Sequence, residues 1–160
     1  MSRFSYLYSP KNWLIAGACF LMTLEAFRTL VDNVHVVINR TDSLPIKAFV
    51  HLRNQVPHKG DYTLVSSCWY GRRLVKRVIA EAGETISYDK EGTLYVGTQS
   101  VGKPKPLSKT GQILTPIKEQ VIPEGHVFLY APHQDSFDSR YEELGLIHQN
   151  ALQGRAVPLI

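Results

Sequence analysis

Ser43 and Lys76, 33 positions apart, are residues whose types can carry covalent chemistry together. A serine hydroxyl is a weak nucleophile until a base takes its proton, and a neutral lysine amine is such a base. At the ordinary lysine pKa of about 10.4, only about 0.04% of amines are neutral at pH 7. Burial disfavours the charged form and can lower that pKa by about 3 units or more. A shift of that size costs roughly 4 kcal/mol at about 1.36 per unit, so it belongs in a site with a purpose. In Leu74-Val75-Lys76-Arg77-Val78-Ile79-Ala80, strand alternation puts Leu74, Lys76, Val78 and Ala80 on one face and Val75, Arg77 and Ile79 on the other. Lys76 is then flanked by apolar neighbours that would desolvate it. The plainer reading is a solvated edge lysine that blocks aggregation. Ser43 lies in Asn39-Arg40-Thr41-Asp42-Ser43-Leu44-Pro45, which taken alone is a polar turn closed by Asp42 or Ser43 and ended by Pro45.

Other chemistry has less support. His35, His51, His58, His126, His133 and His148 show no metal-ligand spacing and are read as structural or surface residues. Neither Cys19 nor Cys68 falls in a CxxC or Cys/His pattern, so no metal or other cofactor is expected. Cys68, before Trp69 and Tyr70, is read as an unpaired buried thiol. Basic residues exceed acidic ones by 18 to 14, but no run of five basic residues tracks a phosphate backbone, so nucleic acid is not an expected partner. With 44% apolar and 20% charged residues, the chain is neither disordered, collagen-like, coiled coil nor a multi-span membrane protein.

Charge and apolarity are unevenly distributed. From Trp13 to Leu24 no residue is charged, and a looser apolar stretch continues through Val31. A bilayer core needs about 20 mostly apolar residues, a length reached when Glu25 and Arg28 are included. Those two lie toward the far end, where Arg28 can snorkel and the cost of a charge falls. Arg3 and Lys11, with no acid before Trp13 and with Tyr6, Tyr8 and Trp13 suited to the interface, place the amino end in the cytoplasm. The alternatives are a cleaved secretory signal, although no small-x-small site stands out after Leu24, and a soluble amphipathic helix. The expected organisation is a cytoplasmic segment 1–11, a transmembrane anchor and juxtamembrane segment 12–35, and an extracytoplasmic domain 36–160.

The domain is expected to be mostly β. Short runs at Ala48–Arg53, Asp61–Ser66, Leu74–Ala80, Thr85–Tyr88, Thr93–Val96, Gln112–Pro116 and His126–Tyr130 are bounded by Gly, Pro, Asp or Asn, which predicts sheets or an open barrel. Residues 97–111, rich in Gly, Pro, Ser and Lys, are expected to form a long exposed excursion.

Four blocks in order carry a family resemblance: Ser43-Leu44-Pro45; Lys59-Gly60-Asp61; Lys76 through Ile86; and Ser136-Phe137-Asp138-Ser139-Arg140 with Gly145 beyond. Together they resemble the type I signal peptidases over about residues 36–160, and the apolar amino end fits that family's anchor. The resemblance implies a largely β fold at the outer membrane face and a metal-free serine endopeptidase with a Ser-Lys dyad. Carried over by position, Ser43 is the nucleophile and Lys76 the general base. Thr41 supplies a hydroxyl to the oxyanion hole beside the backbone N–H of Ser43. Ser136 orients the lysine, with Asp138 and Arg140 as a supporting carboxylate and guanidinium.

Proline stands two residues after the serine, where typical signal peptidases place it three after, and this S-x-P form resembles the TraF-type peptidases of conjugative transfer systems. Their usual glycine two residues beyond the proline is Lys47 here, and Pro132-His133-Gln134-Asp135 replaces the usual start of the last block. Four residues separate Arg140 from Gly145 where two are usual, and there is no room for the large second β domain of longer relatives. The resemblance implies a peptidase of the bacterial inner membrane, single-pass, with its catalytic domain on the periplasmic side. Its substrate would be a pilin precursor, trimmed or cyclised, and its partners the bilayer and other transfer-apparatus proteins. The alternatives are a general signal peptidase acting on many preproteins, a non-catalytic β scaffold of a secretion apparatus, and a self-cleaving repressor, the last disfavoured because no helix-turn-helix opens the chain.

Overall fold

The structure is a computed structural model that describes residues 10–41, 43–67 and 71–159. Arg3, Tyr6, Tyr8, Asp42, Cys68, Trp69 and Tyr70, which figure in the expectations above, lie outside the described residues. The chain divides into two units, Met1–His35 and Val36–Ile160.

The first unit holds helix α1, Pro10–Asn33. Proline is tolerated in a first turn, where its missing N–H would have no partner within the helix. At about 1.5 Å per residue, its 24 residues span about 36 Å, more than the roughly 30 Å hydrocarbon core of a bilayer. None of its described side chains is buried, and Trp13, Leu14, Phe20, Met22 and Phe27 all stand exposed. The helix is long and apolar enough to cross a membrane. It stops where Val34-His35-Val36-Val37-Ile38 begins, a β-branched run that becomes strand β1, Val34–Ile38.

The second unit is built on two sheets. Strands β2 (Ala48–Leu52), β3 (Tyr62–Ser67), β4 (Arg72–Glu81), β9 (His126–Tyr130), β10 (Ile147–His148) and β11 (Arg155–Pro158) join β1 in a seven-stranded sheet of order β1-β2-β11-β3-β4-β9-β10. Strands β5 (Thr85–Tyr88), β6 (Leu94–Val96), β7 (Gln99–Gly102) and β8 (Gln120–Val121) form a smaller sheet of order β7-β6-β5-β8. Strand β11 runs antiparallel between β2 and β3. Gly154 makes that insertion possible: its φ is +81°, and a Cβ there would sit 2.5 Å from the carbonyl oxygen of Leu52.

Strand β4 connects the two sheets. It pairs with β3 on one side and β9 on the other, and its register shifts between Val78 and Ala80. Before that bulge, Leu74 and Val78 pack with Val65, Leu129 and Phe137. After it, Ile79 and Ala80 pack with Ile86, Leu94, Val96 and Phe128 of the smaller sheet's core. The expected alternation of faces runs only as far as the bulge: Leu74 and Val78 share one cluster and Val75 lies in another, whereas Ile79 and Ala80 share a third, and Arg77 alone of residues 74–80 is exposed. A central strand covered on both faces, with a bulge, does not keep period-2 polarity. Arg77 instead lies over Tyr62, 5.8 Å from the ring centroid, and donates through Nε to the carbonyl of Gly60.

Two further expectations are corrected. Gln112–Pro116 is not a strand; Ile113 and Pro116 make single bridges, to Leu107 and Tyr141, while Thr115 N–H is taken by the Glu143 carboxylate. Residues 97–111 are not a free excursion either, because β7 lies within them and Val101 is buried. The remainder of that segment folds back over the site described next.

Candidate active site

Ser43 sits in the loop joining β1 to β2. The Asn39 N–H closes the loop's neck on the Lys47 carbonyl at 2.8 Å, and Leu44 is fully buried with Phe49, Leu64 and Val75. Burying one such leucine is worth about 1.5–3 kcal/mol, enough to pin the residue beside it. Ser43 Oγ lies 2.8 Å from Thr41 Oγ1.

Lys76 is inside the fold, 2% exposed, at the middle of β4 opposite Thr63. Its ammonium donates to Ser136 Oγ at 2.5 Å. Burial lowers its pKa from 10.5 to about 8; the Asp138 carboxylate pulls it back up, and the Arg140 guanidinium pushes it down. At that value about a tenth of the amines are neutral at pH 7.

Asp138 and Arg140 form a buried bidentate pair, Nε to Oδ1 at 2.8 Å and Nη2 to Oδ2 at 3.0 Å. The pair is tied into the backbone. Asp138 Oδ2 accepts from the N–H of Ala131, and Arg140 Nη2 donates to the carbonyls of His133 and Ser136, each at 3.1 Å. The guanidinium thus fixes the turn that carries Ser136, and Ser136 in turn holds Lys76.

Thr41, Ser43, Lys76 and Ser136 line one cavity of about 270 Å³. A second hollow of about 350 Å³, walled by Val37, Ile38, Asn39, Arg40, Leu64, Arg73 and Val75, shares Thr41, Ser43 and Leu74 with the first. Ser43 therefore stands where the two meet. Asp138 and Arg140 lie behind the cavity wall, outside its lining. Among the described residues, no group of three or more His, Cys, Asp or Glu is placed to hold a metal.

The family model described as signal peptidase, peptidase S26, matches residues 11–160. The chain belongs to that family. It is a serine-type peptidase of the signal peptidase class, acting on preprotein substrates, with an amino-terminal helix of anchoring length. Among solved structures it is similar to a signal peptidase I from Enterococcus faecalis V583, at 26% identity over 62% of this chain and 95% of that one, with a TM-score of 0.40. A search of curated proteins finds no match.

Two parts of the site escaped the sequence. Asn39 was legible only as part of a polar turn, yet it is buried and bonded throughout the Ser43 loop. Lys105, Leu107, Ser108, Lys109 and Thr110, from the segment expected to be an exposed excursion, line the Ser43 cavity. They are drawn in by Asp135, whose carboxylate takes Lys105 at 2.5 Å and Lys109 at 3.3 Å and is held below its usual pKa chiefly by the Lys105 hydrogen bond. His133 also lines the cavity, and its Nδ1 accepts from the Asp135 N–H. No regular pattern joins an Asp at 135 to lysines 30 and 26 residues earlier, so sequence alone could not pair them.

Proposed function

We propose that Ser43 is the nucleophile and Lys76 the general base of a membrane-anchored peptidase whose substrate is a pilin precursor of a conjugative transfer system. The observation that carries the dyad is the burial of Lys76, with its pKa lowered to about 8, in the cavity that Ser43 also lines. Neutral Lys76 takes the Ser43 proton as Oγ attacks the scissile carbonyl. The oxyanion is met by the Ser43 N–H and by the Thr41 hydroxyl, once that hydroxyl turns toward it. The lysine then returns its proton to the leaving amine, leaving an acyl-enzyme on Ser43. Water as acceptor gives trimming; the pilin's own amino terminus gives a ring.

The S-x-P spacing supports the pilin reading. Lys11, in the first turn of α1 ahead of its uncharged stretch, supports an amino end in the cytoplasm and a catalytic domain on the periplasmic side of the inner membrane. Co-expression with the pilin precursor tests the reading. Wild type should change the precursor's mass and Ser43→Ala should not; an unchanged precursor with wild type contradicts the pilin assignment. If depletion of the protein makes many precursors accumulate instead of one, it is a general signal peptidase.

A further inference from the structure

Asn39 makes four side-chain contacts inside the Ser43 loop. Its Nδ2 donates to the carbonyls of Leu44 and Ile46 at 3.4 and 3.2 Å, and its Oδ1 accepts from the N–H and the hydroxyl of Thr41 at 3.1 and 2.8 Å. The neighbours fix the amide's orientation, because two carbonyls can only accept and a backbone N–H can only donate. Oδ1 therefore faces Thr41.

Proton counting then orders the site. Thr41 has one hydroxyl proton, and Oδ1 has none to give, so the 2.8 Å contact between them uses the threonine proton. Thr41 Oγ1 and Ser43 Oγ are also 2.8 Å apart, and that bond needs a proton too. Only the Ser43 proton is left for it. At rest Ser43 is the donor and Thr41 the acceptor, so both lone pairs of Ser43 Oγ stay clear of Thr41, and the Ser43 O–H turns from Thr41 to neutral Lys76 when the base takes its proton. Without Asn39, the Thr41 hydroxyl would have Ser43 Oγ as its nearest acceptor and would occupy one of its two lone pairs, making the oxygen a weaker nucleophile.

We propose that Asn39 is a positioning residue that withholds the Thr41 proton from Ser43, keeping the nucleophile's lone pairs free and the Thr41 hydroxyl ready to turn toward an incoming carbonyl oxygen. This rests on Ser43 being the nucleophile. It adds a residue two positions before the oxyanion donor whose work is done through that donor.

The test uses the full-length protein in detergent with p-nitrophenyl acetate as probe, which needs no knowledge of the natural substrate. Ester C–O cleavage passes the acetyl group to Ser43 Oγ and releases p-nitrophenolate, while the serine proton goes to Lys76. Release is followed by absorbance and the acetyl group is located by peptide mass. Asn39→Ala should slow acylation at saturating ester about fivefold, the worth of one neutral hydrogen bond, with half-saturation unchanged. In a Thr41→Val background the same substitution should cost less than twofold. An equal factor in both backgrounds overturns the inference and leaves Asn39 as a loop staple. Asn39→Asp guards against simple misfolding, because it keeps an acceptor for Thr41 but offers no donor to Leu44 and Ile46. It should acylate faster than Asn39→Ala even though it melts no higher; rates that simply follow melting temperature overturn the inference. Release of p-nitrophenolate at an undiminished rate in Ser43→Ala, with the acetyl group mapped to another residue, would instead sink the dyad, a result distinct from either of these.

Discussion

Lys76 Nζ donates to Ser136 Oγ across 2.5 Å at a point where both residues are almost wholly buried, 2% and 3% exposed. A lysine has four rotatable bonds, and a base must hold its lone pair on one line of approach. In the proposed dyad Ser136 would supply that constraint, and the Arg140 bond to the Ser136 carbonyl holds Ser136 in turn.

The pH dependence follows from the direction of the shift. Because the Lys76 pKa is lowered to about 8, the neutral, basic form grows as pH rises through that value. The kcat/KM for peptide cleavage should climb about tenfold per pH unit below 8 and level off above it. Lys76→Arg, which stays protonated, should be inactive across the range. A flat profile between pH 6 and 9 contradicts the assignment.

The same shift is a stability statement. The folded pKa lies below the unfolded one, so burial of Lys76 is a full penalty below pH 8, relieved as pH rises from about 8 to 10.5. Lys76→Met, of similar length and without charge, should stabilise the fold at pH 7 by up to about 3 kcal/mol, with the gain fading above pH 8. Denaturant melts of the two proteins at pH 7 and pH 10 measure it; an equal difference at both is the contrary result.

Asp138 and Arg140 act on Lys76 with opposite signs. Asp138→Asn removes a negative charge and should move the limb of the pH profile to lower pH. Arg140→Met removes a positive one and should move it higher. Either substitution leaves a buried charge unpartnered, so each should also destabilise the fold, by about 3–5 kcal/mol. Shifts in the same direction would show that the two residues do not act on Lys76 through charge.

Ser136→Ala removes the lysine's hydrogen-bond acceptor while leaving Ser43 and the cavity in place. A hydrogen bond to a charged group is worth about 1.5–3 kcal/mol, so kcat should fall roughly ten- to a hundredfold with KM nearly unchanged. A KM effect with kcat retained would assign Ser136 to substrate contact.

How much of this could be read from the chain alone differs residue by residue. Strands Thr85–Tyr88 and His126–Tyr130 have the expected ends because turn residues bound them and their apolar positions alternate or run together. Strands β8 and β10, two residues each, carry no pattern of their own and exist through pairing with β5 and β9. Likewise β11, Arg155–Pro158, is a strand because Gly154 lets it enter between β2 and β3. Ser43, Thr41, Lys76 and Ser136 were found through ordered sequence blocks, and the fold brings all four to one cavity. Asn39 was missed because an asparagine before a turn looks the same whether it caps the turn or fills it. The Lys105 and Lys109 wall was missed because its partner, Asp135, is distant in sequence and the intervening composition reads as solvated loop.

The most direct test of the dyad is the rate at which a serine-acylating reagent labels Ser43 as a function of pH. The label should map to Ser43 and form faster as pH rises toward a plateau above about 8, and it should disappear in Ser43→Ala and become very slow in Lys76→Met. Labelling that maps elsewhere, or labelling of Ser43 that proceeds at the same rate in Lys76→Met, would contradict the central claim that a buried lysine activates this serine.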